Sequence, residues 1–247
     1  MNPDTLVVVH CYAGDARQVT EFLPWYLHHG CPVLILSPED APVSIKHSRV
    51  ECRSAGLAGW KGWQTLDRQI AHMEIIATYP QKYLLLNDAD SMCITPQIPT
   101  YLYENAEGTV SSNEAMWAEP GAPMVPPYFY TQDSLRRMLA VKDEALKMGT
   151  TRGDIAWSDP YNDEPAIDAF MIELVRLSGL RYTPFPDGVH RGTAHPHDVI
   201  LMQEAVLERG ARFVHSIKSR KVLDIILWTY SELLRVLAEQ EAACASS

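Results

Sequence analysis

Nowhere in the 247 residues is there an apolar run approaching the ~20 residues that cross a bilayer, and residues 1–5 carry no basic stretch leading into a hydrophobic one. The chain is therefore expected to be untargeted, unanchored and cytoplasmic. No CxxC pair occurs either. The five cysteines, Cys11, Cys31, Cys52, Cys93 and Cys244, are scattered and odd in number, which argues against a zinc ribbon or dithiol redox centre and predicts reduced thiols. Positive charge is in deficit, with 21 Lys and Arg against 31 Asp and Glu for a net charge of −10. That balance excludes a protein that coats nucleic acid non-specifically, because such binding is driven by clustered cations. Internal repeats, low-complexity linkers and sustained heptads are missing as well.

What the chain does have is 47% hydrophobic residues, enough to bury one substantial core, and this length predicts a single domain. Residues 5–10 are a β-branched run that delivers the chain into Cys11-Tyr-Ala-Gly-Asp15, as a buried parallel strand enters a ligand-facing loop. A helix is predicted over 16–29, stopped by Gly30, and a second buried strand over 32–37. An amphipathic helix over 63–78 sets Leu66, Ile70, Met73 and Ile76 at helical spacing ahead of the most apolar strand, 83–87. Strand and helix alternating in this way open a Rossmann-like α/β sheet. Pro and Gly are dense over 96–127, predicting short strands and loops. Helices follow over 134–148, 165–178 and 221–240, the first two closed by Gly149 and Gly179.

The strand over 83–87 ends on Asp88-Ala89-Asp90. Two carboxylates one residue apart at the C-terminal end of a buried strand lie where open α/β sheets bind ligands. Hard oxygen ligands of this kind hold Mg²⁺ or Mn²⁺ together with substrate phosphates. Asp is also common in solvated turns, but the apolar strand before the pair and Met92 and Ile94 after it set the pair against a core.

The segment Tyr83-Leu-Leu-Leu-Asn-Asp-Ala-Asp-Ser91 resembles the DxD strand of GT-A glycosyltransferases, and the alternation before it resembles their nucleotide-binding half. More narrowly, His10-Cys-Tyr-Ala-Gly-Asp15, residues 87–90 and Phe213-Val-His-Ser-Ile-Lys218 resemble small stand-alone glycosyltransferases encoded by bacteriophages. The resemblance implies the GT-A fold: one α/β domain with a Rossmann-like, mixed, mainly parallel sheet flanked by helices. Residues 1–95 would form its nucleotide-sugar-binding half, and residues 96–247 its acceptor-binding half and C-terminal helix. It also implies transfer of a sugar from a nucleotide donor, a UDP-sugar, with Mn²⁺ or Mg²⁺. Asp88 and Asp90 would form the metal site, Asp88 also reaching ribose or a metal-bound water. The loop after strand one meets the base in that family, which assigns Tyr12, Ala13 and Asp15, while Arg68 is assigned to the nucleotide or diphosphate. Beside these roles, Gly14-Asp15 reads equally as a helix-start turn, and Arg68 as an exposed helix charge.

Many metal-dependent members of the family supply a late histidine as a further metal ligand, with a lysine close behind it on the diphosphate. His215 and Lys218 fit that arrangement. Residues 211–215 read as a short strand whose end could bring imidazole to the cation, with the ammonium neutralising charge on the leaving group. The plain alternative is a strand-end histidine beside a solvated helix start. His190, His195 and His197 form a second cluster, but with no nearby cysteine and no helical HxxxH it reads as a polar loop rather than a zinc site. His197 remains a rival for the metal. An inverting enzyme needs a carboxylate to deprotonate the acceptor hydroxyl. Among the acids of 162–168, Asp163 and Glu164 sit where a helix dipole alone favours acids. Asp168, followed by Phe170, Met171 and Leu174, is expected to border the core as the base, with Glu164 in reserve.

The phage-like resemblance suggests an acceptor in the host cytoplasm, a 5-hydroxymethylated pyrimidine in phage DNA, with a hydroxyl on a virion protein or another hydroxyl acceptor as the alternative. Arg209, Arg212, Lys218, Arg220 and Lys221 cluster in sequence near His215, a local basic rim for DNA phosphates despite the overall charge. Two rival functions remain. A nucleotidyltransferase would carry a Gly-rich basic loop after strand one, whereas residues 12–15 hold one glycine and no lysine. A non-catalytic sugar-binding module would use the same acids structurally.

Overall fold

The computed structural model describes residues 4–12, 14–57, 63–114, 124–151, 167–190, 196–215, 217 and 219–245. β1 (Thr5–His10) and β2 (Val33–Ser37) are buried along their whole length, as strands covered on both faces must be. Between them α1 (Ala16–His28) turns Val19, Phe22 and Tyr26 inward. The turn after α1 reverses at Gly30, whose φ of 71° favours glycine. β3 (Val50–Ser54) pairs parallel with β2 at the sheet edge; its polar sequence gives no strand signal.

α2 (Trp63–Ile76) buries Leu66, Ile70, Met73 and Ile76, as their spacing predicts, but it also buries Thr65, Arg68, Gln69 and His72. Its polar face is therefore part of the interior, not a solvated surface. β4 (Tyr83–Asp88) follows and pairs parallel with β1, placing His10 opposite Asp88.

After β5 (Met92–Cys93) and α3 (Thr100–Asn105), β6 (Thr109–Glu114) and β7 (Met124–Thr131) extend the sheet. β7 is antiparallel to both β4 and β6. The helix expected over 134–148 is in fact two helices, α4 (Gln132–Ala140) and α5 (Lys142–Thr151), separated at Val141. The break lets Leu135, Met138 and Ala145 all reach one core, and α5 runs through Gly149 instead of stopping there. α6 (Ile167–Leu177) leads through Gly179, at φ 65°, to β8 (Arg181–Pro184). β9 (Gly188–His190), α7 (Pro196–Arg209), β10 (Phe213–His215) and α8 (Arg220–Ala245) complete the chain.

The main sheet has seven strands in the order β3-β2-β1-β4-β7-β6-β8, and a smaller one runs β5-β10-β9. Alternate residues of the central strands face opposite ways. Val7, Val9, Ile35 and Leu85 meet α1, α7 and α8, while Leu6, Val8, Leu34 and Leu86 meet α2, α4 and α6. The result is one α/β domain with helices on both faces of a mixed, mostly parallel sheet, as the sequence implies.

Candidate metal centre

At the C-terminal end of β4 the chain makes a tight turn whose backbone is held from three sides. Asp88 N–H donates to Ser91 Oγ (2.8 Å), and Ser91 N–H donates back to the Asp88 carbonyl (3.1 Å). From α1 the buried Tyr26 hydroxyl donates to the Ala89 carbonyl at 3.1 Å. Burial, reinforced by Cys11, Asp90 and Asp88, pushes the Tyr26 phenol well above its ordinary range, so it stays protonated and serves as a donor. The third hold comes from the far end of the sequence. Ile217 N–H donates to the Asp90 carbonyl at 2.9 Å, and the Ile217 carbonyl accepts from Gln18 Nε2 at 2.8 Å.

That last contact is set up by the small sheet. β10 pairs antiparallel with β5, Val214 opposite Met92, and parallel with β9. Because β5 begins two residues after Asp90, the strand that pairs with it carries His215 to the acid turn. His215 Nε2 lies 3.3 Å from Asp90 Oδ1, with side-chain exposures of 11% and 15% that leave both reachable from solvent. One ligand atom each from Asp88, Asp90 and His215 falls within 4.8 Å of the others. Donors at about 2.1 Å on adjacent octahedral positions lie about 3 Å apart, so this spacing suits a single small divalent cation. Three protein ligands leave positions for phosphate oxygens and water.

The loop between β1 and α1 gives Asp15 a structural task. Tyr12 N–H donates to Asp15 Oδ2 at 2.7 Å, closing the loop across Gly14 at φ 97°. Asp15 occupies the N-cap position of α1, but its side chain bonds back into the loop and not to the helix. The Arg68 guanidinium lies over the Tyr12 ring, 4.9 Å from its centroid, and Arg68 Nη1 donates to the Leu57 carbonyl at 3.0 Å. Gly56 is required there, since a Cβ would sit 2.8 Å from Arg68 Cβ. Burial lowers the Arg68 pKa, opposed by Tyr12 and by the charges of Asp88, Asp40 and Asp15. Arg68 is thus a buried cation behind the acid turn rather than the exposed helix charge that is the default.

The structure brings together Tyr12, Asp15, Arg68, Asp88, Asp90 and His215. His197 is exposed at the start of α7 and belongs to no metal-competent group among the described residues. Asp168 is the second residue of α6, while Ala13, Glu164 and Lys218 lie outside the described residues. His195 lies outside them too. Sequence reasoning missed Tyr26 and Gln18. The signal for Tyr26 was available, since a tyrosine on the buried stripe of α1 must find a partner for its hydroxyl.

No protein-family profile matches the chain, and no curated protein matches it. Among solved structures, the glycosyltransferase GlyE of Streptococcus pneumoniae TIGR4 is similar over 98% of this chain at TM-score 0.54 and 12% identity. Its apo form is similar over the same share at TM-score 0.53 and 11% identity. The chain spans 64% of the length of each of those structures. At such identity the likeness concerns the fold alone.

Proposed function

We propose that this protein is a metal-dependent glycosyltransferase that moves a sugar from a nucleoside-diphosphate donor to an acceptor hydroxyl. The observation that carries this reading is the convergence of Asp88, Asp90 and His215 at a strand end in a sheet similar to that of a glycosyltransferase. The donor set fits a hard divalent cation, and its imidazole favours Mn²⁺ over Mg²⁺. When bound, such a cation supplies positive charge to the departing diphosphate.

The remaining roles belong to the chain itself. Asp15 shapes the loop so that Tyr12, backed by Arg68, presents its ring to the nucleotide, with UDP the first candidate. Asp88 also serves the ribose. Lys218, next to the residue that bonds Asp90, neutralises diphosphate charge. The acceptor oxygen attacks the anomeric carbon, the bond to diphosphate breaks, and Asp168, or Glu164, takes the hydroxyl proton if the configuration inverts. For the acceptor, a 5-hydroxymethylated pyrimidine in phage DNA stands beside a virion-protein hydroxyl. Two members of the basic cluster, Arg212 and Arg220, are paired with Asp187 and Asp224, which reduces the support that charge lends to DNA.

A thermal-shift screen of nucleoside diphosphates and sugar nucleotides, with and without Mn²⁺, tests the reading. One base should stabilise the protein in a Mn²⁺-dependent way, by about 2.7 kcal/mol at a hundredfold excess over Kd, and the matching sugar nucleotide should hydrolyse slowly without acceptor. Absence of any such response would remove the reading. Binding without turnover would favour a sugar-binding module instead. Mass analysis of hydroxymethylcytosine or hydroxymethyluracil DNA after incubation decides the acceptor.

A further inference from the structure

α8 buries Leu223, Ile226, Leu227 and Thr229 and turns the opposite side of the helix to water. Residues at i, i+4, i+7 and i+11 share one helical stripe, and on that side they are Lys221, Ile225, Trp228 and Glu232. Trp228 is 64% exposed, more than any other large hydrophobic side chain among the described residues. Apolar residues scattered singly over a surface are ordinary, but this one borders a hollow.

The hollow, about 810 Å³ counting the space open to solvent, is lined by Arg220, Lys221, Asp224, Ile225 and Trp228. The last four stand at i, i+3, i+4 and i+7, the set that forms a hole on one helix for a side-chain knob from another. α8 therefore carries a large exposed knob and, on the same face, a hole. Within one molecule the two cannot engage, because both point outward. Two copies related by a twofold axis can, each Trp228 entering the hole of the other, provided that the two helices run antiparallel. A parallel pair would instead set Trp228 level with Trp228 and Lys221 level with Lys221. The hole is centred between positions 224 and 225, so the axis passes near position 226. That same register places Lys221 opposite Glu232 of the second copy, twice in the dimer.

Charge favours this occupant over others. The stripe carries acids as well as bases, with Arg220 paired to Asp224 at 2.7 Å and Arg235 to Glu232 at 2.9 Å. An anionic lipid surface or a nucleic acid calls for a run of cations and would meet those carboxylates. A second copy meets opposite charge at both ends of the contact. We propose that two copies of this chain associate through α8 in an antiparallel, twofold-symmetric contact, in which Trp228 of each fills the hollow of the other and Lys221 pairs with Glu232. The proposal stands apart from the glycosyltransferase reading. A contact confined to one helix face is smaller than the ~1,200 Å² of standard interfaces, so association in the micromolar range is expected.

Sedimentation velocity on the full chain, at concentrations from about 1 to 200 µM, tests the contact. The wild type should pass from monomer to dimer across that range. Trp228→Glu should weaken the dimer by about 100-fold or more, as loss of a central aromatic does, and remain monomeric throughout. Lys221→Glu and Glu232→Lys should each weaken it about tenfold by setting like charges opposite one another. The double variant Lys221→Glu/Glu232→Lys should return to within about threefold of wild type, a recovery that a merely structural role for either residue would not give. All three side chains lie on the solvent side of α8, so melting temperatures should stay near that of the wild type. If Trp228→Glu is destabilised, Trp228→Gln carries the same readout. A wild type that is monomeric at every concentration, a dimer that survives substitution of Trp228, or a double variant as weak as the single ones overturns the proposal. A monomeric wild type that co-sediments with vesicles of mixed neutral and anionic phospholipid overturns it too, and gives the face to a lipid surface.

Discussion

The two parts of the chain that meet at the candidate metal centre are built very differently. β4 is six residues long, apolar as far as Leu86, and paired along its whole length with β1 and over Tyr83–Leu86 with β7. β10 has three residues, and its partners β5 and β9 have two and three. The first delivers Asp88 and Asp90 from the most buried part of the sheet; the second delivers His215 on a short ribbon tied to the acid turn through the Ile217 amide. A site assembled this way has a rigid acidic half and a histidine half whose position depends on a few long-range contacts. Damage to the two halves should therefore differ in kind.

The largest effect is expected from the acids. Asp88→Ala and Asp90→Ala should each reduce Mn²⁺-dependent sugar-nucleotide hydrolysis by about 10³-fold, while the melting temperature stays within a few degrees of wild type. Substantial activity in both variants would show that the acids at the end of β4 do not hold a catalytic metal. His215→Ala should weaken Mn²⁺ binding by roughly 100-fold, measured by calorimetry, and leave the sheet unaffected. Unaltered binding would move the third ligand elsewhere, His197 being the first place to look.

A subtler test acts on the ribbon without touching a ligand. At Gly188 an added Cβ would lie 2.0 Å from Asn113 Oδ1, and Asn113 is fully buried with its amide nitrogen on the Pro126 carbonyl. Gly188→Ala should cost about 1–3 kcal/mol of stability and about tenfold in Mn²⁺ affinity. Ile35→Val in β2, which should cost about 0.5–1.5 kcal/mol, is the matched control and should leave Mn²⁺ binding unchanged. Equal metal affinity in the two variants would show that the ribbon is not what positions His215.

The smallest effect concerns the buried histidines behind the rigid half. Burial, with the Arg68 charge next, lowers His72 from 6.5 to about 4. Between those values the unfolded chain binds the proton and the folded one does not, so stability must fall as pH drops below about 6.5. From pH 7 to 5.5 the loss from His72 is about 1 kcal/mol. Urea unfolding at the two pH values should show it, and His72→Gln should flatten the dependence by about that amount. Stability that rises on acidification would contradict a neutral buried His72.

The same contrast governs what was legible in the sequence. β1, α1, β2, α2 and β4 announce themselves through local periodicity and glycine stops, and with them come the strand end and its two acids. β10 is legible as a short strand over 211–215 but is too short for its sequence to show its partners, and β3 is polar with no pattern of its own; each is placed by strands distant in sequence. His215 reached the candidate set through a resemblance, and no reading of residues 211–215 alone shows that they pair with Met92 and Cys93. Arg68, His72 and Gln69 look like a solvated helix face because their charge and polarity are local, while their burial comes from the sheet end they cover. The missing stop at Gly149 has a similar cause: packing of Ala145 into the core outweighs a local helix-ending signal.

Sharing of one cation by the acid turn after β4 and by β10 can be read from electron spin-echo envelope modulation of Mn²⁺ bound with UDP, or with whichever nucleoside diphosphate the screen selects. The wild type should show ¹⁴N modulation from one coordinated imidazole, and His215→Gln should retain a bound Mn²⁺ signal without it. Modulation that survives in His215→Gln, or that is missing from the wild type, would contradict the account.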